Sequence, residues 1–306
     1  MDELNLGLVT APRAFLYDQP GAPSAPRGIG AQTDEIFCGW AIEVLETGPD
    51  AWDRIRTHYG YEGWVRKETF RHLAREELLA RQDGARFALV TDACTDLHAE
   101  PSVKGDLLFT LPRGSIAERL PEPDKDGWIM VRAADGTAGW AQSDALRDRK
   151  DDDLFLLEGG GDRSWFLRHG KDIIARADEP ALRAAVARTA LSRIGAPYRW
   201  GGKASDGIDC SGLAFMSWME NGLLIWRDAS ILPDYPLVAI SREQLQEGDL
   251  VFFPGHVAVY LGDGRYIHAT AYRKTPRVTI NSLNPGDPDY RQDLAESIEA
   301  CGSLFA

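Results

Sequence analysis

A cysteine held between two glycines at the head of an apolar run constrains this chain more than any other stretch. Gly207-Ile208-Asp209-Cys210-Ser211-Gly212-Leu213 leads into Ala214-Phe215-Met216-Ser217-Trp218-Met219. Asp209 is a residue type that caps helix N-termini, so the pattern predicts a helix from Cys210 to Asn221-Gly222. Almost no polar face remains on it, so it is expected to be buried. At such a helix start the unpaired amide N–H groups and the positive end of the dipole favour thiolate over thiol. Cys210 is therefore a candidate nucleophile, set against the plain reading of one more small buried side chain.

A nucleophile needs a base. Strand-like runs follow the helix: Leu250-Val251-Phe252-Phe253, His256 to Leu261, Tyr266-Ile267-His268-Ala269 and Val278-Thr279-Ile280, which predict an antiparallel meander. If Gly262-Asp263-Gly264 is a three-residue loop, Ala258 pairs with His268. His256 and His268 then lie on one face as diagonal neighbours, close enough for two imidazoles to meet. A two-residue Asp-Gly turn would instead pair His268 with Val259 and put the histidines on opposite faces. The chemistry thus demands a register. One imidazole would take the thiol proton and the other fix its tautomer, giving an ion pair of thiolate and imidazolium.

Composition excludes other classes. With 34 basic and 47 acidic residues the net charge is −13, so nucleic acid is not an expected partner. No stretch of about 18 apolar residues predicts a transmembrane segment, and Met1 to Leu6 lacks a basic-then-apolar export pattern. A soluble cytoplasmic protein is the expectation. The four cysteines, Cys38, Cys94, Cys210 and Cys301, form no C-x-x-C pair and leave an odd three beside a nucleophile, which argues against a disulfide framework. The six histidines show no metal-ligand spacing. Neither a metal nor a cofactor is expected, and the oligomeric state is not legible.

The first half of the chain repeats itself. Trp52 to Arg56 is followed by Gly63-Trp64, and Trp128 to Arg132 by Gly139-Trp140, each time with a glycine-containing turn between. Short alternating runs upstream, Trp40 to Leu45 and Ile116 to Leu120, predict strands. These W-x-x-x-R and G-W pairs resemble bacterial SH3-type domains, which implies two small β-barrels, residues 1–75 and 84–148. The first carries an inserted Pro/Gly loop from Gln19 to Gly30. Residues 149–179, with a charged cluster and Gly159-Gly160-Gly161, predict a connector of little regular structure. A helix should then open at Glu179-Pro180 and close at Gly195 and Pro197, with Leu182, Val186, Ala190 and Ile194 on one face.

Tyr198-Arg199-Trp200-Gly201-Gly202, the Asp209-Cys210-Ser211-Gly212 stretch, Gly248 to Phe253, Gly255-His256-Val257 and Tyr266-Ile267-His268-Ala269 together resemble the NlpC-type cysteine peptidases of bacterial cell walls. That resemblance covers residues 180–306. It implies an α+β papain-like catalytic domain, helices packed on an antiparallel sheet, behind the two SH3-like barrels. It also assigns roles: Cys210 nucleophile, His256 base, His268 orienting residue, and Tyr198 beside the nucleophile. Gly201 and Gly202 are expected to form a tight turn, and Trp200 to be a core aromatic.

The substrate implied is a peptidoglycan-derived peptide cut between γ-linked D-glutamate and a diamino acid. Members with two such barrels act on short peptides with free N-terminal L-alanine. In them an acid and a tyrosine of the first barrel, with the aspartate before the nucleophile, hold the ammonium group. Asp209 matches that aspartate by position, and Glu35 and Tyr61 are the barrel candidates. Ser211 and Ser230 are further implied contacts. Where members have proline before an arginine, this chain has Trp226-Arg227, so the pocket wall there is expected to differ. An amidase or acyltransferase on the same fold, or a silent wall-binding protein, remains a rival reading.

Overall fold

The computed structural model describes residues 5–21, 32–82, 86–272 and 276–306. Most of the loop expected between Gln19 and Gly30 falls outside the described residues. The chain divides into two compact units, Met1–Gly161 and Asp162–Ala306.

In the first unit the repeat is visible as topology. Strands β1 (Leu6–Val9), β2 (Arg13–Tyr17), β3 (Gln32–Phe37), β4 (Ala41–Thr47), β5 (Trp52–Thr57), β6 (Glu62–Arg66) and β7 (Phe70–Leu73) form an antiparallel sheet of order β3-β2-β6-β5-β4-β1-β7. After helix α1 (Arg75–Ala80) come β8 (Phe87–Val90), β9 (Cys94–His98), β10 (Leu107–Pro112), β11 (Ile116–Arg119), β12 (Trp128–Arg132), β13 (Ala138–Gln142) and β14 (Leu146–Asp148). Their order, β10-β9-β13-β12-β11-β8-β14, is the same with every strand advanced by seven. The repeated tryptophans sit on matching strands. Among the described residues no pairing joins β3 to β7 or β10 to β14, so these are antiparallel sheets and not the closed barrels anticipated. Alternation predicts strands, whereas closure depends on stagger and tilt between distant strands.

The two repeats are packed on each other. The Trp40 indole N–H donates to the Gly114 carbonyl at 2.7 Å, and the Ile116 N–H donates to the Cys38 carbonyl at 2.9 Å. Gly39 adopts φ +85°, and a Cβ there would lie 2.0 Å from the Ile116 carbonyl oxygen. Only glycine allows that approach.

Residues 149–179 contain α2 (Ser164–Ile174), where a connector of little regular structure was expected. Its Trp165 and Phe166 are buried, and Phe166 stacks on Tyr235 at 4.7 Å. Burial of two aromatics, each worth roughly 1.5–3 kcal/mol, outweighs the weak local signal of the charged, glycine-punctuated flank.

Helix α3 (Glu179–Leu191) starts as expected, with Asp178 Oδ1 accepting from the Ala181 N–H at 3.2 Å and Pro180 in the first turn. Ile194 lies beyond its end and is exposed, so the apolar face is shorter than anticipated. Two short strands, β15 (Lys203–Ala204) and β16 (Gly207–Ile208), pair ahead of α4 (Cys210–Met219), all ten of whose residues are buried.

The meander is β18 (Leu250–Phe253), β19 (His256–Gly262), β20 (Arg265–Thr270) and β21 (Arg277–Ser282). Two strands not anticipated, β17 (Val238–Ile240) and β22 (Ala300–Ser303), extend the sheet to the order β17-β22-β18-β19-β20-β21. The short helix α5 (Gln292–Ala295) precedes β22. Helix α4 packs against α3, β19 and β20. This is the helices-on-antiparallel-sheet layout expected for residues 180–306.

Candidate active site

Helix α4 presents Cys210 as its first residue. Asp209 caps the helix, its Oδ1 accepting from the Gly212 N–H at 2.6 Å, while Oδ2 accepts from the Gly201 N–H at 2.8 Å. The two glycines before β15 do as anticipated: Gly201 takes φ +69°, and a Cβ on Gly202 would meet the Gly207 carbonyl oxygen at 2.4 Å. Gly212 is equally constrained, since a Cβ there would stand 2.2 Å from the Gly202 carbonyl oxygen. The G-x-D-C-S-G spacing thus reflects a backbone crossing under the first turn of the helix.

The register settles the histidines. Asp263 and Gly264 take φ +50° and +76°, and Gly262 pairs with Arg265 around them, a two-residue turn. A bulge at Leu261 then shifts the pairing to Tyr260↔Tyr266 and Val259↔Ile267, which puts Ala258 opposite His268. The hairpin therefore has the turn of one alternative and the register of the other. His256 and His268 face each other, Nε2 to Nδ1, at 2.7 Å.

Asn281, which sequence reasoning missed, extends the chain of hydrogen bonds. It lies on β21, where Thr279 is opposite His268, so it is a diagonal neighbour on the other side. Its Nδ2 donates to the Asp289 carbonyl at 2.8 Å, which orients the amide and leaves Oδ1 to accept from His268 Nε2 at 3.0 Å. His268 Nδ1 is then an acceptor and His256 Nε2 its donor. The remaining nitrogen, His256 Nδ1, carries the lone pair that can take a proton. The predicted pair thus becomes a relay of three strands, β19, β20 and β21. Asn281 was invisible because its register crosses the loop after Thr270.

The Cys210 thiol faces the backbone N–H of Val257, the residue after His256, and that of Ser211. Burial pushes this thiol up to about 11, with the Asp209 charge adding to the rise. Burial also draws His256 down to about 4, and burial with the charge of His256 draws His268 down to about 3. Burial thus favours the neutral form of the thiol and of both imidazoles. Burial and the Asp209 charge act against the thiolate–imidazolium pair anticipated from sequence, while the N–H groups of Val257 and Ser211 act for the thiolate. His256 is then a base that receives the proton as the thiol attacks.

Tyr198 is half-buried, and burial together with the charges of Cys210 and Asp209 raises its phenol. Trp200 is 66% exposed, which overturns its expected place in the core. Ser211 and Ser230 line one cavity with Trp226, Asp228, Tyr235 and Val257. In the first unit Glu35 is buried on β3 with Arg13 Nε at 3.4 Å, and half-buried Tyr61 precedes β6, its N–H donating to Thr57 Oγ1 at 3.0 Å. All four cysteines are free. Among the described residues no group of three or more His, Cys, Asp or Glu side chains could hold a metal ion, and no helix is long and apolar enough to cross a membrane.

Residues 195–292 match the NlpC/P60 family. The chain is 35% identical over 305 residues to Dipeptidyl-peptidase 6 of Lysinibacillus sphaericus, which covers 97% of this chain and 99% of that one. It is 29% identical over 278 residues to the gamma-D-glutamyl-L-lysine dipeptidyl-peptidase of Bacillus cereus, covering 85% and 73%. A crystal structure of a NlpC/P60 family protein from Bacillus cereus matches 98% of this chain and 100% of its own, with TM-score 0.71 at 21% identity, a likeness of fold. Two observations that owe nothing to each other, a helix-start thiol facing the Val257 N–H next to one of two paired imidazoles and a sequence likeness running nearly end to end, lead to one conclusion: the chain belongs to the NlpC/P60 family of cell-wall cysteine peptidases.

Proposed function

We propose that this chain is a cysteine endopeptidase that hydrolyses the bond between γ-D-glutamate and a diamino acid in peptidoglycan stem peptides, acting on short peptides with a free N-terminal L-alanine. The observation that carries the reading is the thiol of Cys210 against the Val257 N–H, one residue from an imidazole whose lone pair is aimed by His268 and Asn281. Cys210 attacks the γ-glutamyl carbonyl while His256 Nδ1 takes the thiol proton. His256 then gives that proton to the leaving amine, and the diamino-acid fragment departs. Water, deprotonated by the same nitrogen, releases the acyl group and restores the thiol.

The Cys210 backbone N–H at the helix start and the Tyr198 hydroxyl are assigned to the developing oxyanion. Ser211 and Ser230 serve the γ-glutamyl residue. Glu35, Tyr61 and Asp209 are assigned to the ammonium group of the substrate. The names of the two relatives support a dipeptide-releasing activity, and a role in recycling wall peptides follows from a preference for free amines.

The test is mass spectrometry of products from L-Ala-γ-D-Glu-diaminopimelate, its lysine counterpart and intact sacculi, with Cys210→Ala as control. Release of L-Ala-D-Glu from the free peptides is the expected result. Products from sacculi alone would overturn the preference for short peptides. No product from any of them would overturn the activity.

A further inference from the structure

Arg227 is buried without exposure of its side chain, bonded to the residues on both sides of the nucleophile. Its guanidinium is a fork on Asp209: Nη1 donates to Oδ1 and Nη2 to Oδ2, both at 3.1 Å. Nη1 also donates to Ser211 Oγ at 2.8 Å, and Nη2 reaches the Gly202 carbonyl at 3.5 Å. One side chain therefore ties together the helix cap, the residue after the nucleophile and the glycine turn on which the helix rests.

The carboxylate of Asp209 presents a problem that this arrangement answers. It caps α4 well, yet a negative charge next to Cys210 holds the proton on sulfur. A buried guanidinium, in turn, is strongly unfavourable unless paired. We infer that Arg227 is a positioning residue for Cys210: it cancels the charge of Asp209 and locks Asp209, Ser211 and Gly202 together, so that a carboxylate caps the helix without disabling the thiol. This rests on the reading of Cys210 as nucleophile and adds a residue to its machinery.

The other titratable groups around the thiol come from neighbouring elements. Tyr198 precedes β15, and His256 on β19 lies next to the Val257 N–H that faces Cys210. Lys203 on β15 holds its ammonium 4.9 Å from the centre of the Phe215 ring on α4. None of these changes in the substitutions below.

The experiment measures iodoacetamide alkylation at Cys210 against pH, read from the Cys210 peptide by mass spectrometry, in full-length wild type, Arg227→Met, Asp209→Asn, the double variant and Arg227→Lys. Arg227→Met is expected to slow alkylation at pH 7 roughly tenfold, the effect of one unit in thiol pKa. Asp209→Asn is expected to speed it, and the double variant to return to within about threefold of wild type. Arg227→Lys keeps the charge but loses the fork, so its midpoint should stay while its turnover falls.

Coincident midpoints in all five proteins would overturn the inference. Should Arg227→Met alone fail to fold, a folded double variant with a wild-type midpoint supports charge cancellation, and a double variant that also fails to fold overturns it. Alkylation requires no peptide, so the expected pattern in an enzyme that leaves γ-glutamyl peptides intact would defeat the substrate reading and leave this one standing.

Discussion

Each unit buries a histidine, and the two are put to opposite uses. In the first, His58 Nε2 lies 3.3 Å from Asp151 Oδ2, both side chains without exposure. Arg149 forks onto Asp151 at 3.0 Å and Asp153 at 2.8 Å, and Arg81 adds a contact to Asp153 at 3.3 Å while donating to the Gly39 carbonyl at 2.5 Å. Burial alone would raise both carboxyls, yet the guanidiniums hold them below the usual range. The cluster joins residues 39 and 58 of one repeat to 81 and 149–153, so it fixes a shape. In the second unit His268 is bonded to an amide, and His256 keeps a lone pair. A histidine beside a carboxylate in an ionic cluster is a fastener, whereas one bonded only to a neutral partner keeps a lone pair that can accept a proton.

The largest expected effect separates these uses outright. Cys210→Ala should reduce hydrolysis of the free peptide by about 10⁴-fold or more, followed by product mass spectrometry, with almost no change in melting temperature. Arg149→Met should do the reverse. It leaves two buried carboxylates without their fork, and urea titration should show a loss of about 3–5 kcal/mol, with turnover per folded molecule preserved. Equal losses of stability in the two variants would break the contrast.

Acid sharpens it. The folded pKa values of His256 and His268 are depressed to about 4 and about 3, against 6.5 in the unfolded chain. Below pH 6.5 the unfolded state binds protons that the folded state refuses, so stability present above 6.5 is lost as pH falls toward 4. For His256 alone the loss is about 3 kcal/mol. Urea midpoints at pH 7, 5.5 and 4.5 should fall in that order, and His256→Phe should flatten the slope.

Smaller effects follow. Asn281→Ala leaves His268 Nε2 without its acceptor and should lower kcat roughly tenfold, with KM little changed, from the ~1–3 kcal/mol of a buried group left unpaired. The two repeats supply the last comparison, because Phe15↔Glu35 in one matches Asp96↔Thr110 in the other. Glu35 is buried and Thr110 exposed. Glu35→Gln should raise KM severalfold for peptides with a free amine and not for N-acetylated ones, and Thr110→Ala should affect neither. An equal rise with both peptides would assign Glu35 to the fold through Arg13.

Much of this was legible before any coordinates. The Asp209 cap, the buried helix, the four strands of the meander and the twofold repeat follow from spacing, turn residues and apolar period, which are local properties of the chain. The histidine register was narrowed to two alternatives, and the hairpin took a bulge that satisfied both. What stayed hidden depended on distant partners. Trp200 reads as a core residue by type alone, and α2 is held by Tyr235 rather than by its own flanks. Strands β17 and β22 are too short to signal themselves, but they pair at Ala239↔Gly302 and complete the sheet.

By itself, then, the amino-acid order determined which atoms could react: one sulfur at a helix start and two imidazoles on the neighbouring strands of one hairpin. Tertiary structure alone decided which way burial moves their proton affinities, the nitrogen that serves as base, and the company of Arg227 and Asn281. The physical reason is that a side chain's type travels with the sequence. Its charge state depends on how much water is excluded and which dipoles replace it, and those are supplied by residues far along the chain.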